Sequence, residues 1–406
     1  MRLSHLSLTY FRNYARLELN LPPGVIVLYG NNAQGKTSLL EAVYYLATSR
    51  ALHATSDRQL INWLAKDDPI PHARLVGEAE TQQGKKRIEL TLLTEKTARG
   101  SRLKKEIRIN GISRRVMDLL GHMTVVLFLP QDLALVEGSP SLRRRYLNIT
   151  LCQTDPDYCR AVNQYEKVLS QRNALLRQFQ EQGGRGDRSL LTFWDEQLAQ
   201  HGATVVAGRY RFIRELEREA REIQRDLSGE HETLRLRYQP GFDAAAATDG
   251  QMSFDVADMG VSTLPQLPPK EITKRFVAAL HACVSRDIAR GMTTIGPQRD
   301  ELRLLVNGHD LGLYGSRGQN RTGVLALKLA ELAWMREKTG EWPILLLDEV
   351  AAELDHYRRS YLLERIGQAE QVILTTTEPD LLPAETLVDA TRWRVTDGTI
   401  DTALAS

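Results

Sequence analysis

Cysteine is scarce in this sequence of 406 residues, and long apolar runs are missing from it. The cysteines are Cys152, Cys159 and Cys283. They form no CxxC pair and no CxxC…HxxxH array, which excludes a disulfide scaffold and a zinc module. No run of about 18 apolar residues occurs, so no transmembrane helix is predicted. The first thirty residues mix charged side chains with short apolar runs, which is not a signal-peptide pattern. We therefore expect a cytoplasmic protein.

A strong excess of one charge sign is also absent. The chain has 53 Lys and Arg residues against 51 Asp and Glu residues, a net charge of +2. Binding to nucleic acid would therefore depend on local basic patches and not on the charge of the whole chain. The apolar fraction of 42% and the charged fraction of 26% are typical of folded proteins. A chain of this length is expected to form two or three domains.

Strand-like segments dominate the first 130 residues, and two long helices follow them. Apolar residues recur at helical spacing over residues 155–183 and about 189–227, with a Gly-rich stretch between the two segments. This pattern predicts an antiparallel helix pair. Residues 239–269 are rich in Gly, Ala, Asp and Pro and are predicted to form an irregular connection. Strand and helix patterns then return, which predicts an α/β protein interrupted by helices.

The segment after the first buried strand matches GxxxxGK[ST] without a gap. It consists of Gly30, Asn31, Asn32, Ala33, Gln34, Gly35, Lys36 and Thr37. A predicted strand precedes it and a predicted helix follows it, which is the context of a phosphate-binding P-loop. The backbone N–H groups and the helix N-terminus would cradle phosphates. Lys36 would reach the β- and γ-phosphates, and the Thr37 hydroxyl would bind Mg²⁺.

A second segment, ILLLDE over residues 344–349, has four apolar residues followed by two carboxylates. A central parallel strand has this pattern, and its acids emerge at the edge of the sheet where α/β sites lie. Asp348 would hold Mg²⁺ through water, and Glu349 would act as the general base for the attacking water. The alternative is a strand that ends in solvated acids.

A third segment precedes a predicted helix and contains Ser316, Arg317, Gly318 and Gln319. Such a turn presents a hydroxyl, free amides and a helix N-terminus, which together can bind phosphate. The alternative is an ordinary helix cap. The segment lies about 30 residues before the acidic strand, as in ABC-type ATPases, where this loop caps the γ-phosphate held by the other subunit.

These segments, with LSLTYFRNYARLEL, FLPQDLALVEGSPSLRRRYLN and GPQRDEL, resemble the RecF family of SMC-like ABC ATPases over nearly the whole chain. The resemblance implies an ABC-type P-loop ATPase head with mixed sheets, split in sequence by a compact helical lobe. The predicted divisions are 1–130 and 291–406 for the head and 131–290 for the lobe. The implied cofactors are ATP and Mg²⁺.

The resemblance also implies a function in DNA repair and replication. Members form ATP-dependent homodimers, hydrolyse ATP weakly when stimulated by DNA, and bind gapped or single-strand/double-strand junction DNA. RecR and RecO are the expected partners, and loading of the strand-exchange recombinase in the response to DNA damage, the SOS response, is the expected outcome. A nucleotide-switched docking module with incidental hydrolysis is the alternative, although the carboxylate of Glu349 favours hydrolysis.

Further site residues follow from the same resemblance. Arg12 and Asn13 occupy positions of nucleotide contacts before the P-loop, and Asp355 lies where the dimer interface is crossed. The residues at the γ-phosphate switch position are Thr375, Thr376 and Thr377. Gln131 is either a magnesium-site residue, as in the Q-loop of ABC ATPases, or a solvated turn residue.

Residues 85–115 are the most basic stretch, with eleven Lys and Arg residues, three Glu residues and a net charge of +8. On alternating strands these side chains can line one face of a sheet and track phosphates, and Lys104, Lys105 and Arg108 are the DNA-binding candidates. The alternative is a solvated strand face on which lysines protect an edge. A second candidate is the run 143–145, three arginines that cannot all face one way on a helix.

Overall fold

The computed structural model describes residues 1–52, 54–97, 100–185, 187–242, 267–382 and 389–402. The predicted irregular connection at 239–269 lies mostly outside these residues. The strands in chain order are β1 Arg2–Phe11, β2 Tyr14–Asn20, β3 Gly24–Tyr29, β4 His72–Thr81, β5 Gly84–Thr97, β6 Gly100–Ile109, β7 Ile112–Arg114, β8 Val125–Phe128, β9 Leu234–Gln239, β10 Glu301–Val306, β11 His309–Asp310, β12 Ile344–Asp348, β13 Gln371–Thr376, β14 Thr391–Thr396 and β15 Thr399–Asp401. The α-helices in chain order are α1 Lys36–Thr48, α2 Val116–Leu119, α3 Ala134–Glu137, α4 Pro140–Thr154, α5 Pro156–Glu181, α6 Ser189–Leu227, α7 Pro269–Arg290, α8 Leu311–Tyr314, α9 Arg317–Thr339, α10 Val350–Glu353 and α11 His356–Ile366.

Two compact units divide the chain, and the first consists of Met1–Asp132 and Glu331–Ser406. It contains an antiparallel sheet of order β2-β1-β4-β5-β6-β7 and a second sheet of order β15-β14-β3-β13-β12-β8. In the second sheet all neighbouring strands are parallel except the pair β14–β15. Helix α1 packs against both sheets and is buried along most of its length. The mixed sheets of the predicted α/β ATPase head are therefore present.

Strand β12 lies inside the parallel part of that sheet, between β13 and the edge strand β8. All five of its residues are buried, which is why the sequence has an uninterrupted apolar run there and not an alternating pattern. Strands β3, β8, β12 and β13 all end at the same edge of the sheet, because they run parallel. The P-loop and the acidic residues at the end of β12 are thereby placed at one edge.

The second unit, Leu133–Ala330, contains the long helices and a three-stranded sheet of order β11-β10-β9. Tyr158 and Tyr165 of α5 lie against Gly208 and Gly202 of α6, respectively. The later residue in α5 contacts the earlier residue in α6, so the two helices are antiparallel, as predicted. Gly202 and Gly208 leave room for aromatic rings. A Cβ at Gly208 would lie 2.6 Å from the Tyr158 ring, and a Cβ at Gly202 would lie 2.6 Å from the Phe276 ring and 3.1 Å from the Tyr165 ring.

The two units differ from the predicted divisions at one boundary. The lobe was expected to end at residue 290, whereas the second unit extends to Ala330. The physical reason is strand pairing across the expected boundary: β9 pairs with β10 from Glu301↔Gln239 to Val306↔Leu234. Alternating apolar residues in two short strands do not reveal that these strands are partners.

Candidate nucleotide-binding site

The P-loop connects β3 to α1, as the motif predicts. Gly30 has a φ of 146°, and a Cβ there would lie 2.5 Å from the carbonyl oxygen of Val395. Gly35 has a φ of 118°, and a Cβ there would lie 2.5 Å from Nδ2 of Asn13. Both positions need glycine, because the backbone has a positive φ there and another segment of the same chain approaches closely. The loop therefore keeps an open backbone cradle of the kind that phosphates require.

Neighbouring segments hold the P-loop in place on two sides. Asn13 Nδ2 and the backbone N–H of Gly398 both donate to the carbonyl oxygen of Gln34, at 2.9 and 3.0 Å. The N–H of Asp397 donates to Oε1 of Gln34 at 2.8 Å, and the Tyr14 hydroxyl donates to the Gly35 carbonyl at 3.1 Å. The predicted nucleotide contact Asn13 thus supports the loop directly. Such anchoring reduces the ordering cost of binding a phosphate.

The Lys36 side chain is only 5% exposed and its ammonium lies inside the loop. Its Nζ donates to the carbonyl oxygens of Gly30 at 2.7 Å and Asn31 at 3.1 Å. It also lies 3.2 Å from Oε1 of Glu349. Because a buried ammonium is costly without partners, these three oxygens fix the positive charge at the place where the backbone cradle would hold a phosphate.

The hydroxyl of Thr37 and the carboxylate of Asp348 are in direct contact. The Thr37 Oγ1 lies 2.9 and 3.0 Å from the two carboxylate oxygens. The hydroxyl of Thr375 donates to Oδ1 of Asp348 at 2.8 Å, and the Thr375 Oγ1 accepts the N–H of Glu349 at 3.0 Å. Asp348 and Thr375 are register partners on the parallel strands β12 and β13. The structure therefore gives Thr375 a contact with the predicted magnesium carboxylate, which sequence reasoning did not assign.

Glu349 directly follows β12 and has a φ of 52°, in the left-handed region. Non-glycine residues in this region cost about 1–3 kcal/mol and concentrate at functional sites. The turn points the carboxylate back over the edge of the sheet, where Oε2 accepts the N–H of Thr377 at 3.1 Å. Its Oε1 has the Lys36 ammonium 3.2 Å away as an ion-pair partner, without a well-aligned hydrogen bond. That oxygen can therefore still accept a hydrogen bond.

The donors at this edge fit the chemistry of Mg²⁺. Thr37 and Asp348 supply a hydroxyl and carboxylate oxygens, the hard ligands that Mg²⁺ prefers together with phosphate oxygens and water. Gln131 is exposed in the single turn Pro130–Leu133 that follows β8. Because β8 and β12 are parallel neighbours, with Phe128 opposite Leu347, Gln131 follows a strand that ends at the same edge. Its assignment to the magnesium site stays a prediction.

Arg12 is placed beside α1 by an ion pair that contains two hydrogen bonds. Its Nε and Nη2 donate to the two carboxylate oxygens of the buried Glu41 at 2.7 and 3.0 Å. Its Nη1 donates to the carbonyl oxygen of Gln59 at 3.2 Å. The structure thus gives Arg12 a role in the fold, and its contact with the nucleotide stays a prediction.

The SRGQ segment begins helix α9 in the second unit. Ser316 Oγ accepts the N–H of Gln319 at 3.2 Å, and Gln319 Oε1 accepts the N–H of Ser316 at 3.0 Å. This is a reciprocal capping box, so the ordinary helix cap considered from the sequence is present. It does not exclude the phosphate cap, because Ser316, Arg317 and Gly318 are exposed and the Ser316 hydroxyl still has its proton to donate.

Two apolar side chains beside this cap are also exposed. Leu313 is 68% exposed and Tyr314 is 75% exposed. Gln319 is held by a hydrogen bond from its Nε2 to Glu232 at 2.9 Å. An exposed helix N-terminus beside an exposed apolar pair is suited to contact with another molecule.

Asp355 caps the N-terminus of α11 in the first unit. Its side chain accepts the N–H of Arg358 at 2.9 Å and pairs with the Arg358 guanidinium. The backbone hydrogen bond from Arg358 is the largest cause that holds the pKa of Asp355 below its usual value. Both Asp355 and the following Tyr357 are exposed. Its place at a dimer interface stays a prediction.

The DNA-binding candidates on β6 do not share one face of the sheet. Lys104 and Arg108 point to the exposed face, whereas Lys105 points to the opposite face with the buried Ile107 and Ile109. Lys105 Nζ lies 2.7 Å from Asp57 and 4.9 Å from the ring centre of Tyr45. Burial lowers the pKa of the Lys105 ammonium in spite of Asp57. The expectation that the three side chains form one phosphate track is corrected for Lys105, because side chains alternate along a strand.

The exposed face of this antiparallel sheet carries acids between its basic residues. Ion pairs on this face join side chains of β1, β4, β5 and β6. They are Arg2–Glu80, Lys85–Glu80, Arg74–Glu89, Arg87–Glu78, Arg87–Glu89, Lys104–Glu95 and Lys104–Glu106. Burial alone would raise the pKa of Glu89, but hydrogen bonds from Arg74 and Arg87 lower it. The net charge of +8 over residues 85–115 is therefore balanced in part by Glu78 and Glu80 of β4, which the count did not include.

The arginine run 143–145 is partly structural. Arg143 is buried and makes two hydrogen bonds to the carboxylate of Glu301, at 2.7 and 2.9 Å. Arg144 donates to the carbonyl oxygen of Asp300 at 2.9 Å. These contacts join α4 to β10 and its preceding turn.

No helix within the described residues has the length and apolar character needed to cross a membrane.

Comparison with known proteins relates the chain to a family. Residues 2–394 match the family model described as RecF/RecN/SMC N terminal domain. The chain is 42% identical over 413 residues to the DNA replication and repair protein RecF of Roseiflexus castenholzii, covering 98% of this chain and 99% of the relative. It is 41% identical over 408 residues to RecF of Chloroflexus aurantiacus, with the same coverage.

A solved structure shows the same architecture. The structure of the recombination mediator protein RecF with ATP in the RecFOR pathway matches with a TM-score of 0.82 and 29% identity, covering 98% of this chain and 96% of that one. The glycine cradle, Lys36, Thr37 and the carboxylates at the end of β12 are the parts of this chain that such a nucleotide would need. The chain belongs to the RecF family of SMC-like, ABC-type ATPases.

Proposed function

We propose that this protein is an ATP-driven DNA clamp of recombinational repair and replication. Two copies joined by ATP would hold DNA at gaps or single-strand/double-strand junctions, with weak DNA-stimulated ATP hydrolysis. In the cytoplasm, with RecR and RecO as partners, the clamp would assist loading of the strand-exchange recombinase. The observation that carries the proposal is the meeting of Lys36, Thr37, Asp348 and Glu349 at one sheet edge.

Hydrolysis needs an oriented water and a base for its proton. Glu349 is held by the Thr377 N–H and by Lys36, and one of its oxygens would accept the proton of the attacking water. As the water oxygen bonds to the γ-phosphorus, the bond from that phosphorus to the β–γ bridging oxygen breaks, and ADP and phosphate result. Lys36 would neutralise charge that develops on the phosphate oxygens. Bound Mg²⁺ would supply further charge compensation at Thr37 and Asp348.

The cap residues Ser316 to Gln319 would complete the site of a second copy. The exposure of Ser316, Arg317 and Gly318, with that of Leu313 and Tyr314, supports a role in contact between molecules. Asp355 and Tyr357, exposed at the start of α11, would lie at the same kind of interface. In this arrangement ATP joins the two copies, and its hydrolysis lets them separate.

Light scattering tests this arrangement. With ATP the mass should be about twice the 45.9 kDa of one chain, because each γ-phosphate gains a cap from the other copy. With ADP, or without nucleotide, the mass should be that of one chain. Equal masses under the three conditions would contradict ATP-dependent dimerisation.

Thr375→Val should weaken the magnesium dependence of ATP binding. Valine matches the shape of threonine but cannot donate to Asp348, so the carboxylate loses the partner that orients it. Loss of such a supporting contact typically costs about 10–100-fold in metal affinity. The measurement is an equilibrium ATP titration at several Mg²⁺ concentrations, with Thr375→Ser as the variant that keeps the hydroxyl. If valine and serine behave alike, Thr375 does not position Asp348.

A further inference from the structure

The second half of α6 carries a row of exposed arginines that no part of the proposed function uses so far. The members of this arginine row are Arg211, Arg214, Arg218, Arg221 and Arg225. They are separated by three, four, three and four residues, which places them along one side of a helix. All five are exposed. The buried side of the same segment is apolar and includes Phe212, Ile213, Leu216, Ala220 and Ile223.

Most of the positive charge in this row is not balanced by contacts. Arg218 lies 3.1 Å from Glu219, and Arg225 lies 3.5 Å from Glu230. Arg211, Arg214 and Arg221 have neither a hydrogen bond nor an ion pair within the part of the chain that the structure describes. This differs from the exposed face of the antiparallel sheet, where Arg74, Arg87, Lys85 and Lys104 have carboxylate partners.

The surroundings of the row favour a polyanion over a protein partner. The exposed positions of α6 from 211 to 226 are all charged, whereas protein interfaces need apolar or aromatic anchors at their centre. Four acids flank the row on one side, because each of its last four arginines is followed directly by an acid. They are Glu215, Glu219, Glu222 and Asp226. These acids would repel a polyanion from that side and so confine it to the arginine row.

We propose that the arginine row binds the phosphate backbone of duplex DNA. At a rise of 1.5 Å per residue, the row from Arg211 to Arg225 extends about 21 Å. Duplex DNA has one phosphate per strand for every 3.4 Å of axis, so this length spans about six phosphates of one strand. Guanidinium groups form paired hydrogen bonds with phosphate oxygens. The contacts would be independent of base sequence, because they reach only the backbone.

This inference deepens the proposed DNA clamp and rests on it. It assigns the DNA contact to α6 of the helical unit, in addition to or in place of Lys104 and Arg108. Since the row lies on one helix whose opposite side is in the core, its arginines can be replaced without removing buried side chains. A triple replacement by glutamine is therefore a suitable test.

The test compares Arg211→Gln, Arg214→Gln and Arg221→Gln, combined in one chain, with a matched control. The control combines Arg160→Gln, Lys167→Gln and Arg177→Gln, which removes three exposed positive charges from α5 of the same unit. Binding of a fluorescent duplex is measured with ATP over a series of salt concentrations. The row variant should bind at least about tenfold more weakly, and its slope of log affinity against log salt should be shallower by up to about 2.7, since each phosphate contact contributes about 0.9. The control should keep the wild-type slope, and ATP binding should be unchanged in both.

A double variant that removes negative charge distinguishes loss of positive charge from misfolding as the cause of weaker DNA binding. Glu219→Gln with Glu222→Gln removes two of the flanking acids and should strengthen duplex binding. If the wild type binds DNA with ATP and the row variant keeps the same affinity and slope, the arginine row is not the DNA contact, although the proposed clamp stands. If the wild type itself binds no DNA with ATP, the clamp and the row assignment both fail.

Discussion

Glu349→Gln should slow ATP hydrolysis by about 100-fold or more while ATP still binds, since general base catalysis typically contributes that much. Glutamine keeps the size of the side chain and can still accept the N–H of Thr377, the contact that holds Glu349 at 3.1 Å. It cannot take a proton from water. Single-turnover hydrolysis and an equilibrium ATP titration measure the two effects separately. The variant should also remain dimeric for longer with ATP, because the nucleotide that joins the two copies is no longer consumed.

Two further variants make this result specific. Glu353→Gln makes the same chemical change at an exposed position of α10 and should leave hydrolysis near the wild-type rate. Lys36→Ala removes the buried ammonium that faces Glu349 at 3.2 Å and should abolish ATP binding itself. Wild-type hydrolysis by Glu349→Gln would remove Glu349 as the general base and favour the alternative of a nucleotide-switched docking module.

Ser316→Arg should abolish dimerisation and hydrolysis while each monomer still binds ATP. Ser316 follows Lys36 by 280 residues and belongs to the other compact unit, so the P-loop of the same chain does not need it for its own fold. A long cation at this exposed position would hinder approach of the α9 N-terminus to a γ-phosphate in another copy. Light scattering and ATP titration are the measurements.

Loss of the helix cap is a separate effect and needs its own control. Ser316→Ala removes the hydroxyl that accepts the Gln319 N–H without adding bulk, and such caps contribute about 1 kcal/mol to stability. If Ser316→Ala and Ser316→Arg lower the unfolding temperature equally but only the arginine variant fails to dimerise, steric hindrance is the cause. Dimerisation by Ser316→Arg at the wild-type level would contradict the cap assignment.

The sequence reveals the P-loop and the acidic strand because each is a contiguous segment with a distinctive pattern. The contact of Thr375 with Asp348 is different, since it depends on the parallel register of β12 and β13. Residues 27 positions apart become partners only when that register is known. The same limit explains the end of the helical unit, where β9 and β10 pair across about 60 residues.

Charge counts along the chain are also incomplete predictors. The count over residues 85–115 combines both faces of three strands, so it includes Lys105, which points inward. It also omits Glu78 and Glu80 of β4, which pair with Arg87 and Lys85. For the arginine row on α6, the charge count along the chain errs in the other direction, because it is too low. Its local net charge is low because acids alternate with the arginines, and only helical periodicity separates the two signs into neighbouring rows.

The most direct test of the central claim, that ATP is hydrolysed in a site shared by two copies, is steady-state hydrolysis by a mixture of Lys36→Ala and Ser316→Arg chains. Each variant alone should be inactive. In a mixed dimer, the Ser316→Arg chain supplies an intact Lys36 and the Lys36→Ala chain supplies an intact Ser316, so one complete site forms. We expect the mixture to hydrolyse ATP at a rate well above that of either variant alone. Full hydrolysis by Ser316→Arg alone, or a mixture no more active than its components, would contradict the central claim.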